Sequence, residues 1–335
     1  MSHSTVSGSV LSHSLARRSL ALVPLLLALA LAGCADNRPR TPVRPGTDSG
    51  APLDSATPLD LGTPFDLGPA RDFGPTPPAC TERAELVYVV DRDNMLARFD
   101  PRDGTFTNVG TISCASASLK PFSMSVDQDA NAWVLFQDGQ IRLVSTLDAT
   151  CSPGSFPLAD PFERFGMGFA AEGSGEALFV SGGTYIDLLE QSPSNPARLG
   201  HVTPATHAAV SVGSLTGWPE LSGNASGQLF AFYRPDTVFS TVVPGRIVEL
   251  NPANAAETTS YELTAMGGDF ESQYAFAYWG SRFYVFIRAT GATNSEVWRF
   301  NLPPDGDGTV TKVVNDAGRI IVGAGVSICA PITFI

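Results

Sequence analysis

Leu86-Val-Tyr-Val-Val90 and, a few residues on, Arg98-Phe-Asp-Pro-Arg-Asp-Gly104 are the stretches on which the fold turns. A short run of β-branched and aromatic residues reads as a strand. The second stretch closes a hairpin, because Asp100 can accept from the backbone two residues on while Pro101 presets φ for the turn. The pattern recurs. Comparable runs stand at Trp133-Val-Leu-Phe136, Leu178-Phe-Val180, Leu229-Phe-Ala-Phe232 and Phe283-Tyr-Val-Phe-Ile287, and the starts lie 47, 45, 51 and 54 residues apart. Turns of the same chemistry follow in Gly200-His-Val-Thr-Pro-Ala-Thr206, Val248-Glu-Leu-Asn-Pro-Ala-Asn254 and Arg299-Phe-Asn-Leu-Pro-Pro-Asp-Gly306.

Ahead of each later run lies a short segment rich in small residues: Phe122-Ser-Met-Ser-Val126, Phe165-Gly-Met-Gly-Phe169, Pro219-Glu-Leu-Ser-Gly223 and Tyr274-Ala-Phe-Ala-Tyr278. Four strands per unit at this period predict an all-β fold over residues 80–335, a β-propeller of five four-stranded blades. Small residues suit the crowded wall of a central channel. The first unit lacks an innermost strand before Leu86, and the C-terminus supplies a spare one at Gly323-Ala-Gly-Val-Ser-Ile-Cys329, so that strand is expected to close the ring and remove an open edge. A two-sheet sandwich is the main competing fold.

Composition agrees. Glycine and proline total 58 of 335 residues, which disfavours long helices. The 33 acids against 21 bases give a net charge of −12, which disfavours nucleic-acid partners, because phosphate backbones demand a basic face.

Residues 1–33 contain no acid, carry Arg17-Arg18 and run through an apolar stretch from Leu20 to Ala32, which reads as an export signal. Leu31-Ala32-Gly33-Cys34 resembles the lipobox of bacterial lipoproteins, and the resemblance implies cleavage before Cys34 and acylation of its thiol. Ala35 follows that cysteine; in the resembling lipoproteins an Asp there marks inner-membrane retention, so an outer-membrane location, periplasmic or surface-facing, is implied. Residues 34–79 then hold a drifting hexad with Asp54, Asp60, Asp66 and Asp72 in register. Such a Pro/Asp/Gly-rich chain buries no core and reads as a disordered tether, reaching at most about 140 Å at about 3.1 Å per residue.

With its Asp-Pro turn at Asp100-Pro101, residues 85–329 are similar to YVTN and quinoprotein-like propellers. The ending Gly-Ala-Gly-Val-Ser-x-Cys-Ala-Pro resembles uncharacterised surface lipoproteins. With Cys34 taken by lipid, an even set of Cys80, Cys114, Cys151 and Cys329 remains for an oxidising compartment. Cys114 and Cys151 follow the last strands of consecutive units, which predicts one bond between neighbouring blades. Cys80 and Cys329 flank the ends that must meet, which predicts a second across the closure.

No catalytic or metal residues are assigned. His201 and His207 read as hairpin residues. Asp127-Gln-Asp-Ala-Asn131 begins like a calcium loop but lacks its central Gly and final Glu, so it reads as a turn; Asp91-Arg-Asp-Asn94 is read as its counterpart, and Asp305-Gly-Asp-Gly308 likewise as a turn. No cofactor is expected, calcium being weakly supported at most. Loops entering the innermost strands bring Phe122, Glu163, Arg164, Phe165, Trp218, Glu220 and Tyr274 toward one channel mouth, with Lys120 and Gln273 beside them. Aromatics mixed with a few charges can clasp a protein, peptide or glycan ligand. The function expected is therefore a monomeric binding or scaffolding module held to a membrane by its lipid. The alternative is an envelope enzyme, a lyase, hydrolase or quinone-dependent dehydrogenase, working through Glu163, Arg164 or Glu220.

Overall fold

The computed structural model describes residues 80–190, 195–238 and 241–334. The signal segment 1–33, Cys34 and the tether to residue 79 lie outside the described residues. Blade one opens with β1 (Val87–Asp91), β2 (Met95–Asp100) and β3 (Thr105–Thr111). Blade two holds β4 (Pro121–Val126), β5 (Asn131–Phe136) and β6 (Ile141–Ser145). Blade three holds β7 (Arg164–Glu172), β8 (Gly175–Gly183), the short helix α1 (Tyr185–Glu190), β9 (Arg198–Thr203) and β10 (Ala208–Ser214). In blade four β11 (Glu220–Gly223) and β12 (Leu229–Tyr233) precede a small hairpin, β13 (Asp236–Val238) and β14 (Thr241–Val243), and then β15 (Gly245–Leu250) and β16 (Glu257–Leu263). Blade five consists of β17 (Phe270–Tyr278), β18 (Arg282–Ala289), β19 (Glu296–Asn301) and β20 (Val310–Val314), after which the chain returns to blade one as β21 (Ile321–Gly325).

Every ladder is antiparallel, and β21 pairs with β1 through Tyr88↔Gly325, Val89↔Ala324 and Val90↔Gly323. The C-terminal strand thus closes a five-bladed propeller. The closing strand is Ile321–Gly325 rather than 323–329, because the chain turns away after Val326. Ser327 Oγ there donates to the Ala84 carbonyl at 2.7 Å, and Cys329 is bonded to Cys80. The second disulfide joins Cys114 and Cys151 with Cα atoms 5.8 Å apart. Cys114 follows the outer strand of blade one, as expected, but Cys151 opens the outer segment of blade two. That segment makes only isolated bridges, Val144↔Cys151 and Ile141↔Phe156, in place of a full fourth strand.

The unbroken apolar runs are explained by burial on both faces of each sheet. Val87 and Val89 of β1 pack toward blade five with Phe286 and Val297, whereas Tyr88 and Val90 pack toward blade two with Met124 and Val134. Three further apolar clusters fill the interfaces between blades two and three, three and four, and four and five. With a side-chain period of two, one strand feeds two cores.

The innermost strands β21, β4, β7, β11 and β17 contact one another in sequence around the channel. Their approach is close enough to require glycine. A Cβ at Gly325 would come within 2.5 Å of Ser125 Cα, and one at Gly223 within 2.4 Å of the Phe169 carbonyl oxygen. Serines on the same strands tie blades together: the Phe169 amide donates to Ser125 Oγ at 3.3 Å, and the Tyr278 amide to Ser222 Oγ at 2.9 Å.

The turn chemistry behaves as expected. Asp100 Oδ1 accepts from the Arg102 amide, Asn251 Oδ1 from the Ala253 amide, and Asp307 Oδ1 from the Thr309 amide, each near 3 Å. Asp127 is spent on its own turn, with Oδ1 accepting from the Asp129 and Asn131 amides and Oδ2 from Trp133 Nε1. Asp91 caps its turn in the same way, accepting from the Asp93 and Met95 amides. The two are not at one structural position, however. Asp127 joins the first and second strands of its blade and Asp91 the second and third, so the turns lie on opposite faces of the propeller.

Candidate functional site

Innermost strands enter the channel on the face where Pro121, Glu220 and Val322 lie, and a cavity of about 590 Å³ opens there. Its walls are two insertions between second and third strands, helix α1 in blade three and the β13–β14 hairpin in blade four. The helix starts where Thr184 and Asp187 cap each other reciprocally. The Asp187 amide donates to Thr184 Oγ1 at 3.2 Å and the Thr184 amide to Asp187 Oδ2 at 3.1 Å. Leu188 and Leu189 of α1 face the cavity, and Arg234 and Asp236 bound it from the hairpin side.

Four of the seven residues expected at the mouth line this cavity: Phe122, Trp218, Glu220 and Tyr274. Phe165 instead is fully buried between blades two and three, beside Trp133 and Leu178. Glu163 faces solvent and accepts the Tyr185 amide at 2.8 Å, so it caps α1. Arg164 donates to the backbone carbonyls of Glu163 and Gln137 and lies over the Tyr185 ring at 5.1 Å. Neither Glu163 nor Arg164 lines the cavity with Glu220. Lys120 pairs loosely with Asp93, at 3.8 Å.

Glu220 is the central polar group. It is only 7% exposed, and its Oε2 accepts a hydrogen bond from Ser123 Oγ at 2.9 Å, so blade four reaches blade two across the channel. Burial pushes its carboxyl up to about 8, against which the Ser123 hydroxyl and the Met167 amide pull less strongly. The carboxyl is therefore mostly protonated at neutral pH. Burial also raises the Tyr274 phenol, whose hydroxyl donates to the Trp218 carbonyl at 2.6 Å. Gln273 Oε1 accepts from Arg288 Nη2 at 2.7 Å, and its Nε2 donates to Ser272 Oγ at 3.0 Å.

Sequence reading did not place Gln137, Leu188, Tyr233, Arg234 or Ser272 at the mouth. Tyr233-Arg234 extend the run Leu229–Phe232, and Thr184-x-x-Asp187 is a capping signature, so both insertions left a trace in the sequence. The histidines lie elsewhere: His201 Nε2 is 3.1 Å from the Glu172 carboxylate, and His207 stacks on Phe156 with ring centroids 3.6 Å apart. Among the described residues, no group of three or more His, Cys, Asp or Glu is placed to hold a metal, and no helix is long and apolar enough to cross a membrane.

The class of protein is thereby set as a five-bladed β-propeller with a walled cavity at one mouth. No family model matches the chain, and no curated protein matches it. Solved structures are similar to it at low identity. TolB from Acinetobacter baumannii is 13% identical at a TM-score of 0.40, with 70% of this chain and 54% of that chain covered. A Bacteroides caccae protein of unknown function is 10% identical at 0.39, with 72% and 97% covered. The Dos1 propeller is 12% identical at 0.36, with 75% and 72% covered. This chain thus spans about half of the TolB chain, and the fold rests on its own strands and contacts rather than on these likenesses.

Proposed function

We propose that this chain is an exported lipoprotein, acylated at Cys34, whose propeller is a binding or scaffolding module that receives its ligand at the mouth cavity. The observation that carries this reading is the walled cavity at one mouth of the propeller, where Phe122, Trp218 and Tyr274 stand beside Glu220 and Gln273. Two disulfides fit an oxidising compartment and an exported protein. An outer-membrane anchor follows from the lipobox and from Ala35.

A second reading, an envelope enzyme, draws on Glu220 as a buried acid with a raised pKa. It is the weaker one, because Glu163 and Arg164, the partners foreseen for it, are occupied outside the cavity.

Two variants of the full chain test the proposal. Cys34→Ala is expected to move the protein from the membrane to the soluble fraction, and unchanged partitioning would refute the anchor. Ser272→Trp, at an exposed cavity-lining position, is expected to abolish retention of the envelope-extract compounds that the wild-type protein holds in affinity-selection mass spectrometry. Equal retention by both proteins would remove the mouth from the function.

A further inference from the structure

We propose that the mouth cavity binds an uncharged saccharide unit, laid against Trp218 and hydrogen-bonded by Gln273, Gln137 and the Glu220 carboxyl. This rests on the reading of the mouth as the binding site and adds the chemical class of its ligand.

The first support is the charge of the lining. Its ionisable carboxyls and bases are Glu220, Arg234 and Asp236. Glu220 is held mostly neutral by burial, while Arg234 and Asp236 carry opposite signs. Arg234 Nη1 already points to the Phe270 carbonyl at 3.4 Å. The lining therefore carries no net charge that would favour an anionic or a cationic ligand over a neutral one.

The second support is pre-orientation of neutral donors and acceptors. Gln273 is fixed between Arg288 and Ser272, yet its planar amide keeps one further N–H and one further lone pair for a ligand. The exposed Gln137 side chain offers the same pair of functions on the opposite wall. Glu220, whose carboxyl already accepts from Ser123 Oγ and the Met167 amide, adds in its protonated form one O–H donor. Vicinal hydroxyls of a sugar are both donors and acceptors, and the planar amides meet them two at a time.

The third support is the aromatic wall. Phe122, Trp218 and Tyr274 give the cavity apolar surface beside these polar groups. A sugar ring has C–H faces and a hydroxyl rim, so it needs both on adjacent walls. A cavity of about 590 Å³ lies in the size range of small-ligand sites. An apolar peptide is the competing occupant, since Ile186 and Leu189 of α1 are 63% and 66% exposed at the rim; it becomes an outcome of the test.

The test uses the full chain in detergent, probed at pH 7 on arrays of neutral hexose and N-acetylhexosamine oligosaccharides, acidic oligosaccharides and random peptides. The expected result is retention of neutral saccharides, reduced at least tenfold by Trp218→Ala and by Gln137→Ala at an exposed position. The second variant keeps the test valid if the first fails to fold. Retention of acidic saccharides or peptides in preference, or neutral binding untouched by both variants, would overturn the inference, as would no saccharide binding at all. If Ser272→Trp still abolishes retention of some other compound, the mouth remains a binding site and only the saccharide class fails.

Discussion

Deleting residues 320–335 is expected to abolish cooperative folding. The deletion removes β21, all five of whose residues are buried, and leaves the inner edge of β1 from Tyr88 to Asp91 without partners. It also opens the wall of the channel, because β21 lies between β4 and β17. The tail beyond β21 goes with it, including the Ser327 bond to Ala84, the Pro331 carbonyl that accepts from the Gly280 amide at 2.7 Å, and the Ile332 carbonyl that accepts from the Tyr278 and Ser281 hydroxyls. A fully buried Ile or Val contributes roughly 1.5–3 kcal/mol, and Ile321, Val322 and Val326 are all buried. The Cys80–Cys329 bond, spanning a sequence separation of 249, adds about 5 kcal/mol in the chain-entropy model. Together these rival the roughly 5–15 kcal/mol by which whole domains are stable. Urea unfolding followed by near-ultraviolet circular dichroism checks this. A sigmoidal transition within about 1 kcal/mol of the intact protein would show that β21 does not close the ring.

The second large effect is in pH. Burial holds both Glu220 and Glu176 up to about 8, and it also raises Asp91 and Asp127. A folded-state pKa above the unfolded value means that the folded chain keeps a proton the unfolded chain loses. The resulting stability is complete below about pH 4.5 and declines as pH rises through 8, with a slope near 1.4 kcal/mol per pH unit for one such group. Carboxyls held low act in the opposite window. The Arg102 partner of Asp100, the Arg246 partner of Glu257 and the Thr309 partner of Asp307 stabilise the fold above about pH 4, and that contribution fades as acid protonates them. Stability should therefore peak near pH 4–5 and fall toward pH 9, with His207, held low by burial, opposing this only in a minor way.

Glu220→Gln keeps an acceptor for Ser123 and removes the titration, so it should raise stability at pH 9 by on the order of 3 kcal/mol and leave pH 4.5 nearly unchanged. Thermal melts of both proteins at pH 4.5, 7 and 9 decide the matter. A wild-type melting temperature that rises with pH, or an equal slope in the variant, would place Glu220 in water rather than in the wall.

What was legible in the sequence follows from what the fold needs everywhere. Each main run must bury both faces, so Leu86–Val90 and its repeats stand out, and the channel wall must be small, so Gly166, Gly168, Ser123 and Ser125 mark the innermost strands. Ring closure needs a strand from far away, and Cys80 and Cys329, which flank the two ends, point to it. What was not legible belongs to single blades. Blade two replaces its fourth strand with the Cys151–Phe156 segment, which keeps only two bridges, so no alternation records it. Helix α1 is one and a half turns long, too short for a helical period, and only its cap betrays it. Glu163, Arg164 and Glu220 all sit just before or at the start of innermost strands, but their side chains diverge. Glu163 and Arg164 turn to α1 and the backbone of blade two, and only Glu220 points across the channel, because Ser123 waits there. Sequence position brought these residues to one mouth, and only packing could decide which of them share a cavity.

Peptide mapping of the unreduced full-length protein, alkylated before digestion, tests the closed ring most directly. The expected result is Cys80 recovered linked to Cys329 and Cys114 linked to Cys151, with none of the four alkylated. Cys80 linked to Cys114 or Cys151, or four alkylated thiols, would contradict closure of the propeller by its C-terminal strand.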